Sequence, residues 1–226
     1  MKYSKIYSYF HFNFFDKILK KKREDMYQQI IDKIDMNRMN SILDVGTSSL
    51  DELESSNYLI KKFISKNKTL SSISVDKINL DYFNNVLKKS ITENFTKEET
   101  DKFSADLIIS NATIEHVGEE INQKKMLENI INLTKKYFVI ITPNRFHPLE
   151  FHTKLPFIHW LPKKIHRYIL KLMNFSDLAL EENLNLISIN EFKAMLSKST
   201  QIEYYFVKIK FLFFPSNIIL IGKKIK

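Results

Sequence analysis

Cysteine is absent from the chain, which excludes disulfides and thiolate metal sites and is compatible with a reducing compartment. Arginine is scarce: only Arg23, Arg38, Arg145 and Arg167 stand among 35 basic residues. Recognition of phosphates and guanines leans on the guanidinium fork, so the formal charge of +9 reads as a lysine-rich solvated surface, and nucleic acid is not the expected partner. No apolar run approaches the roughly 18 residues that span a bilayer. The best, 211–222, is broken by Pro215, Ser216 and Asn217. The N-terminus carries Lys2, Lys5 and many aromatics, but reaches Asp16 and a lysine run without a small-residue cleavage site, so a cytoplasmic protein is expected.

What is present suits one sizeable core: 226 residues, 44% of them hydrophobic. Residues 1–40 combine aromatics, the basic run Lys20 to Arg23, and Met26, Ile30, Ile31 and Ile34 at helical spacing, which predicts an N-terminal helical extension. From Ser41 onward short β-branched runs alternate with polar helical stretches, the pattern of βαβ units and a parallel sheet. Strands are expected at 41–45, 70–75, 90–95, 105–110 and 137–141. Helices are expected at 58–65, 80–89 and 120–134, the last with Ile121, Met126 or Leu127, Ile130, Ile131 and Leu133 largely on one face. Four of the five prolines lie in 143–175, which predicts an insertion or lid over the carboxyl ends of the strands. Residues 203–210 and 212–223, joined across Pro215 and Ser216, predict an antiparallel pair that finishes the sheet.

Three segments carry chemistry. In Ile42-Leu43-Asp44-Val45-Gly46-Thr47-Ser48-Ser49 an apolar strand runs into an Asp-x-Gly turn, where glycine permits close backbone approach and the carboxylate suits a cationic or hydroxyl-bearing group. An ordinary strand exit has the same look. Asp76 follows the apolar strand 73–75 and could accept hydrogen bonds from ribose hydroxyls, at a spacing from Gly46 longer than the usual ~20 residues; a helix N-cap is the alternative. In the third segment, 105–118, a strand ends in Ser110-Asn111-Ala112-Thr113-Ile114-Glu115-His116. His116 beside Glu115 is a candidate general base for a hydroxyl acceptor, or else a loop-capping histidine.

Together these segments resemble the class I S-adenosylmethionine-dependent methyltransferases, more narrowly the methyltransferase type 11 group, over about residues 41–145. The resemblance implies a Rossmann-like α/β fold with a mostly parallel central sheet, an antiparallel C-terminal strand and helices on both faces, and S-adenosyl-L-methionine as cofactor. It places Asp44, Gly46, Thr47 and Ser48 in the cofactor loop, makes Asp76 the ribose ligand, and sets Asn111 and Ala112 at the start of a motif that runs to His116 beside the active site. Thr92 or Glu93 would lie near the adenine. The chain departs from the family's Gly-x-Gly-x-Gly loop: after Gly46 come Ser48 and Ser49, and no glycine until Gly118.

The stretch 142–162 resembles a Thr-Pro-Asn-Arg segment followed by Pro-x-Glu-Phe-His found in a bacterial subset of those enzymes, often linked to surface polysaccharide or lipid-linked glycan pathways. Arg145, His147, Glu150 and His152 could line an acceptor pocket, with His147 or His152 competing with His116 as base. A metal site from Glu150 with the two histidines lacks tight ligand spacing on a helix, so no metal is expected. Trp160, Phe157, Leu155 and Leu161, flanked by Lys154, Lys163, Lys164 and Arg167, have the makeup of an interfacial anchor, or of a lid packed on the core. The expected function is methyl transfer to a small-molecule, glycan or lipid-linked acceptor, with peripheral contact to the inner face of a membrane through the N-terminus or residues 154–167. An RNA methyltransferase and a non-catalytic nucleoside-binding or scaffold protein on the same fold are the alternatives.

Overall fold

The computed structural model describes residues 13–51, 55–64, 67–197 and 199–225. Tyr3 to Phe12, and the membrane contact expected through them, lie outside these residues. The described residues open with helix α1 (Asn13–Ile31), followed by β1 (Ser41–Val45), α2 (Tyr58–Lys62), β2 (Thr69–Ser74), β3 (Asn85–Lys88), α3 (Lys97–Phe103), β4 (Ala105–Asn111), α4 (Glu120–Leu133) and β5 (Thr134–Pro143). Then come α5 (Lys163–Leu172), α6 (Ile189–Leu196), β6 (Ile202–Phe211) and β7 (Phe214–Lys224). The seven strands form one sheet in the order β3-β2-β1-β4-β5-β7-β6. Strands β1 to β5 are parallel neighbours, and β7 runs antiparallel between β5 and β6.

Strand periodicity builds the two layers, because successive side chains point to opposite faces. Leu43 and Val45 of β1 join Ile108, Phe138 and Leu220 on one face, covered by Met126, Leu127 and Ile130 of α4 and Phe192 and Leu196 of α6. Ile42 joins Leu107, Ile109, Val139 and Ile219 on the other, covered by Met26 and Ile30 of α1, Ile34, Met39, and Leu59 and Ile60 of α2. Buried on both faces, the inner strands read as near-continuous apolar runs. No described helix is long and apolar enough to cross a membrane.

Four expectations are corrected. Residues 80–89 do not form a helix: Asn85 to Lys88 pair with Ser71 to Ser74 as the edge strand β3, and residues 90–95 are turn and loop. Ile121 of α4 is exposed, leaving Gln123, Met126, Leu127, Ile130 and Leu133 on the buried face. The β6–β7 hairpin turns at Leu212 and Phe213, both with positive φ (49° and 71°), while Pro215 and Ser216 lie within β7. Residues 144–187 are a cap of loops around α5, with its own small apolar cluster of Leu170, Leu178, Ala179, Leu184 and Leu186.

Candidate active site

The carboxyl ends of β1, β2 and β4 form one rim, since Val45 pairs with both Ile73 and Ser110. At the end of β1 the Asp44 carboxylate is 7% exposed and accepts a 2.5 Å hydrogen bond from Thr47 Oγ1, which in turn accepts one from Ser72 Oγ at 2.8 Å. Burial penalises the ionised carboxylate, and the Thr47 hydroxyl offsets this only in part, so the pKa is pushed up to about 6. Gly46 follows with φ of 86°, and a Cβ there would lie 2.0 Å from Thr113 Oγ1. Only glycine fits that turn.

The loop after Gly46 is held without further glycines. Ser74 Oγ donates to the Thr47 carbonyl at 2.8 Å. Asn57, itself left-handed at φ 50°, accepts from Ser48 N at 3.0 Å and donates to the Ser48 carbonyl at 2.9 Å. Ser49 Oγ donates to Asp76 Oδ2 at 3.4 Å, which brings the acid after β2 to the Gly46 loop. Sequence reasoning missed the serines of β2; the signal was the run of small polar residues, Ser71, Ser72 and Ser74, in a strand with no exposed face. Ser90 to Glu93 form a turn after β3, tied to α4 by Asn129 Nδ2, which donates to the carbonyls of Ile91 and Glu93 at 2.6 and 2.8 Å.

At the end of β4, Asn111 is half-buried and Ala112 takes φ 54°, a conformation uncommon for a residue with a side chain. Ala112 N donates to the Ile141 carbonyl at 2.8 Å, which fixes the turn. Thr113 then packs on Gly46 with its hydroxyl donating to the Val45 carbonyl at 3.2 Å, and a short 3-10 turn delivers Ile114, Glu115 and His116.

Glu115, His116 and His152 offer ligand atoms all within 4.8 Å of one another. Glu115 is wholly buried; Oε2 accepts from Thr142 Oγ1 of β5 at 2.8 Å, while Oε1 has no hydrogen-bond partner among the described residues. Burial raises its pKa. His116 Nδ1 donates to the Asn183 carbonyl at 2.6 Å, which leaves the lone pair of the neutral ring on Nε2. Burial, reinforced by His152, pushes its pKa down to about 3. The His152 ring sits edge-on to His116 with centroids 5.1 Å apart. Its Nδ1 donates to Glu150 Oε1 at 2.6 Å. Burial alone would lower the His152 pKa, but the Glu150 carboxylate outweighs it and the pKa is raised. Glu150 is buried too, yet His152 and the backbone and hydroxyl donors of His152 and Thr153 hold its pKa down to about 2.

The remaining cap residues brace the structure. His147 does not join the cluster: its ring nitrogens lie 2.9 and 3.3 Å from the carbonyls of Leu149 and Phe211, and the ring stacks on Phe151. Its own carbonyl accepts from His159 Nε2 at 2.7 Å and Trp160 Nε1 at 3.2 Å. Arg145, expected in an acceptor pocket, donates to the His159 and Leu161 carbonyls and lies 3.7 Å from Glu191. Lys163 pairs with Glu191 and Arg167 with Glu181, both at 2.9 Å. On α5 the outer face is apolar, with Ile165, Tyr168 and Leu172 exposed near Phe157, Trp160 and Leu161, also exposed.

Solved structures share this architecture across nearly the whole chain. Magnesium protoporphyrin IX methyltransferase from Synechocystis PCC 6803, with bound S-adenosylhomocysteine, matches with a TM-score of 0.59 over 99% of this chain and 92% of its own, at 10% identity. The fold is that of the S-adenosylmethionine-dependent methyltransferases. The N-methyltransferase NodS from Bradyrhizobium japonicum WM9 matches with a TM-score of 0.54 at 8% identity, over 91% of this chain and 88% of its own. Human N-acetylserotonin methyltransferase matches at 0.53 and 12% identity, over 93% of this chain and 55% of its own. No family model matches the chain, and no curated protein does. In this methyltransferase fold the rim at β1, β2 and β4 is the crevice outside the carboxyl ends of the strands, where open α/β sheets take their ligands.

Proposed function

We propose that the chain transfers the methyl group of S-adenosylmethionine to a hydroxyl of a small-molecule, glycan or lipid-linked acceptor. The observation that carries this reading is the continuity of segment 111–116. Its first half packs on the Gly46 turn beside Asp44, and its end supplies Glu115 and His116 to the buried cluster with His152. One short turn thus joins a cofactor side to an acceptor side.

The residues fit the cofactor. The Asp44 carboxylate suits the ammonium of its amino-acid part, the Gly46 cradle admits close backbone approach, and Asp76, held to the loop through Ser49, suits the ribose hydroxyls. S-adenosylmethionine supplies a methyl group already activated on a sulfonium. The protein must hold the two reactants in line and ease the loss of the acceptor's proton, and we assign the second task to the Glu115–His116–His152 cluster. The exposed apolar face of α5, edged by Lys164 and Lys171, supports an acceptor carried on a lipid at an anionic, cytoplasmic membrane face, as in surface polysaccharide assembly. The pairing of Lys163 and Arg167 with acids supports that reading over an RNA substrate.

The test is calorimetric titration of the full chain with S-adenosylmethionine and S-adenosylhomocysteine. Dissociation constants on the order of micromolar are expected for both; no heat of binding at millimolar ligand would overturn the proposal.

A further inference from the structure

A carboxylate oxygen buried with no donor is costly, and native proteins seldom leave one without a reason. Among the described residues Glu115 Oε1 is such an atom, and a carboxylate oxygen of Glu115 lies within 4.8 Å of a ring nitrogen of both His116 and His152. The three side chains have a further common property. Each has its far atom fixed by an outer partner: Thr142 Oγ1 on Glu115 Oε2, the Asn183 carbonyl on His116 Nδ1, and the Glu150 carboxylate on His152 Nδ1. The atoms opposite those partners are Glu115 Oε1 and the Nε2 of each histidine. Such outer hydrogen bonds, above all a carboxylate behind a histidine, orient metal ligands and fix their tautomers.

We propose that Glu115, His116 and His152 bind one divalent first-row transition-metal ion, with zinc as the reference ion. Two imidazoles and one carboxylate are a donor set suited to zinc, manganese or ferrous iron and leave coordination positions open. Ligand atoms within 4.8 Å of one another need a closure of on the order of 1 Å to reach Zn–N and Zn–O distances of roughly 2.0–2.2 Å, within the reach of side-chain adjustment. The set is assembled from two places. Glu115 and His116 ride on the turn after β4, and His152 comes from the cap, which Asn185 pins by donating from its backbone N to the Glu115 carbonyl at 2.7 Å and from its side chain to the Gly118 carbonyl at 2.9 Å. The sequence expectation of no metal rested on Glu150 as a ligand without helical spacing; in the fold Glu150 stands behind His152 instead.

The inference deepens the methyl-transfer reading and rests on it for its role. An acceptor oxygen bound at the open position would lose its proton to solvent more readily, as metal-bound water does. It would then form the bond to the methyl carbon while the carbon–sulfur bond breaks and its electron pair stays on sulfur.

Untagged, chelator-dialysed full chain titrated with Zn²⁺ in a calorimeter is expected to bind one ion per chain with a dissociation constant of micromolar or below. Co²⁺ should give visible d–d absorption, which needs no variant to interpret. Glu115→Gln and His152→Ala should each weaken Zn²⁺ binding by at least about a hundredfold, with thermal melting in chelator confirming that each is folded. Absence of both Zn²⁺ heat and Co²⁺ bands in the natural chain, or stoichiometric binding that both folded variants retain, overturns the site. S-adenosylhomocysteine titrated in chelator separates the two proposals. Its binding without Zn²⁺ binding removes only the metal, and Zn²⁺ binding without it removes only the methyl-transfer reading.

Discussion

Replacing Asp44 with Asn removes a charge from a place where the fold disfavours one, while the amide oxygen still accepts from Thr47. The Asp44 carboxyl titrates at about 6 instead of 3.8 because burial penalises its ionised form. An acid raised in the folded state holds its proton longer there than in the unfolded chain. Its stabilising contribution is therefore full below about pH 4, declines as pH rises, and is lost above about pH 6. A difference of about two pH units is worth about 3 kcal/mol at pH 7.5, and roughly half of that at pH 5. Urea unfolding should thus show Asp44→Asn more stable than the natural chain by about 3 kcal/mol at pH 7.5, with the advantage shrinking by about half at pH 5. For a chain of this length that is a gain of roughly 6–12 °C in Tm. Affinity for S-adenosylhomocysteine should move the other way, falling about 10- to 100-fold as the ammonium loses a charged acceptor. Equal or lower stability of the variant at pH 7.5 would refute the burial argument; unchanged affinity would remove Asp44 from the site.

Asp76→Ala should weaken S-adenosylhomocysteine binding at least about tenfold, or ~1.4 kcal/mol, with little change in melting, since Asp76 is half-buried and, among the described residues, its side chain is held by Ser49 alone; calorimetry checks this, and unchanged affinity takes Asp76 out of the proposed site. Gly46→Ala places a methyl group 2.0 Å from Thr113 Oγ1 at a positive φ, so the turn must shift and affinity should fall on the order of tenfold or more. Gly222 lies under the Phe138 ring, with a built Cβ 2.1 Å from Cε1, so Gly222→Val should cost about 1–3 kcal/mol in urea unfolding and be partly rescued by Phe138→Leu.

The inner strands were legible because burial on both faces makes them continuous apolar runs bounded by polar residues. Strand β3 was not. At the sheet edge Asn85, Val86, Leu87 and Lys88 alternate between half-buried and exposed, and with Tyr82 and Phe83 before them they mimic a helical spacing; pairing with β2 decides the outcome. The hairpin turn was misplaced because Leu212 and Phe213 hold left-handed backbone without glycine or asparagine, whereas Pro215 carries the usual turn signal yet sits in a strand. Of the proposed site, Asp44, Gly46, Asp76 and the Glu115–His116 pair could be marked from residue type and position. That His116 and His152 meet could not, because nothing local in the cap foretells that residues 150–153 fold back onto the turn after β4. Read singly, the histidines were rivals for one role, and Glu150 looked like a ligand, whereas in the fold it accepts from His152 Nδ1.

Strand β7 has a consequence for how the molecule opens. It lies inside the sheet, and β6 reaches the other strands only through it. The pair should therefore detach as one cooperative unit, with amides of Ile202–Phe211 and Phe214–Lys224 exchanging with solvent hydrogen at a shared rate. Leu220 and Ile219 of that pair share the two buried layers with Leu43, Val45 and Ile42 of β1, so its detachment would open the core beneath the candidate site as well as the flank.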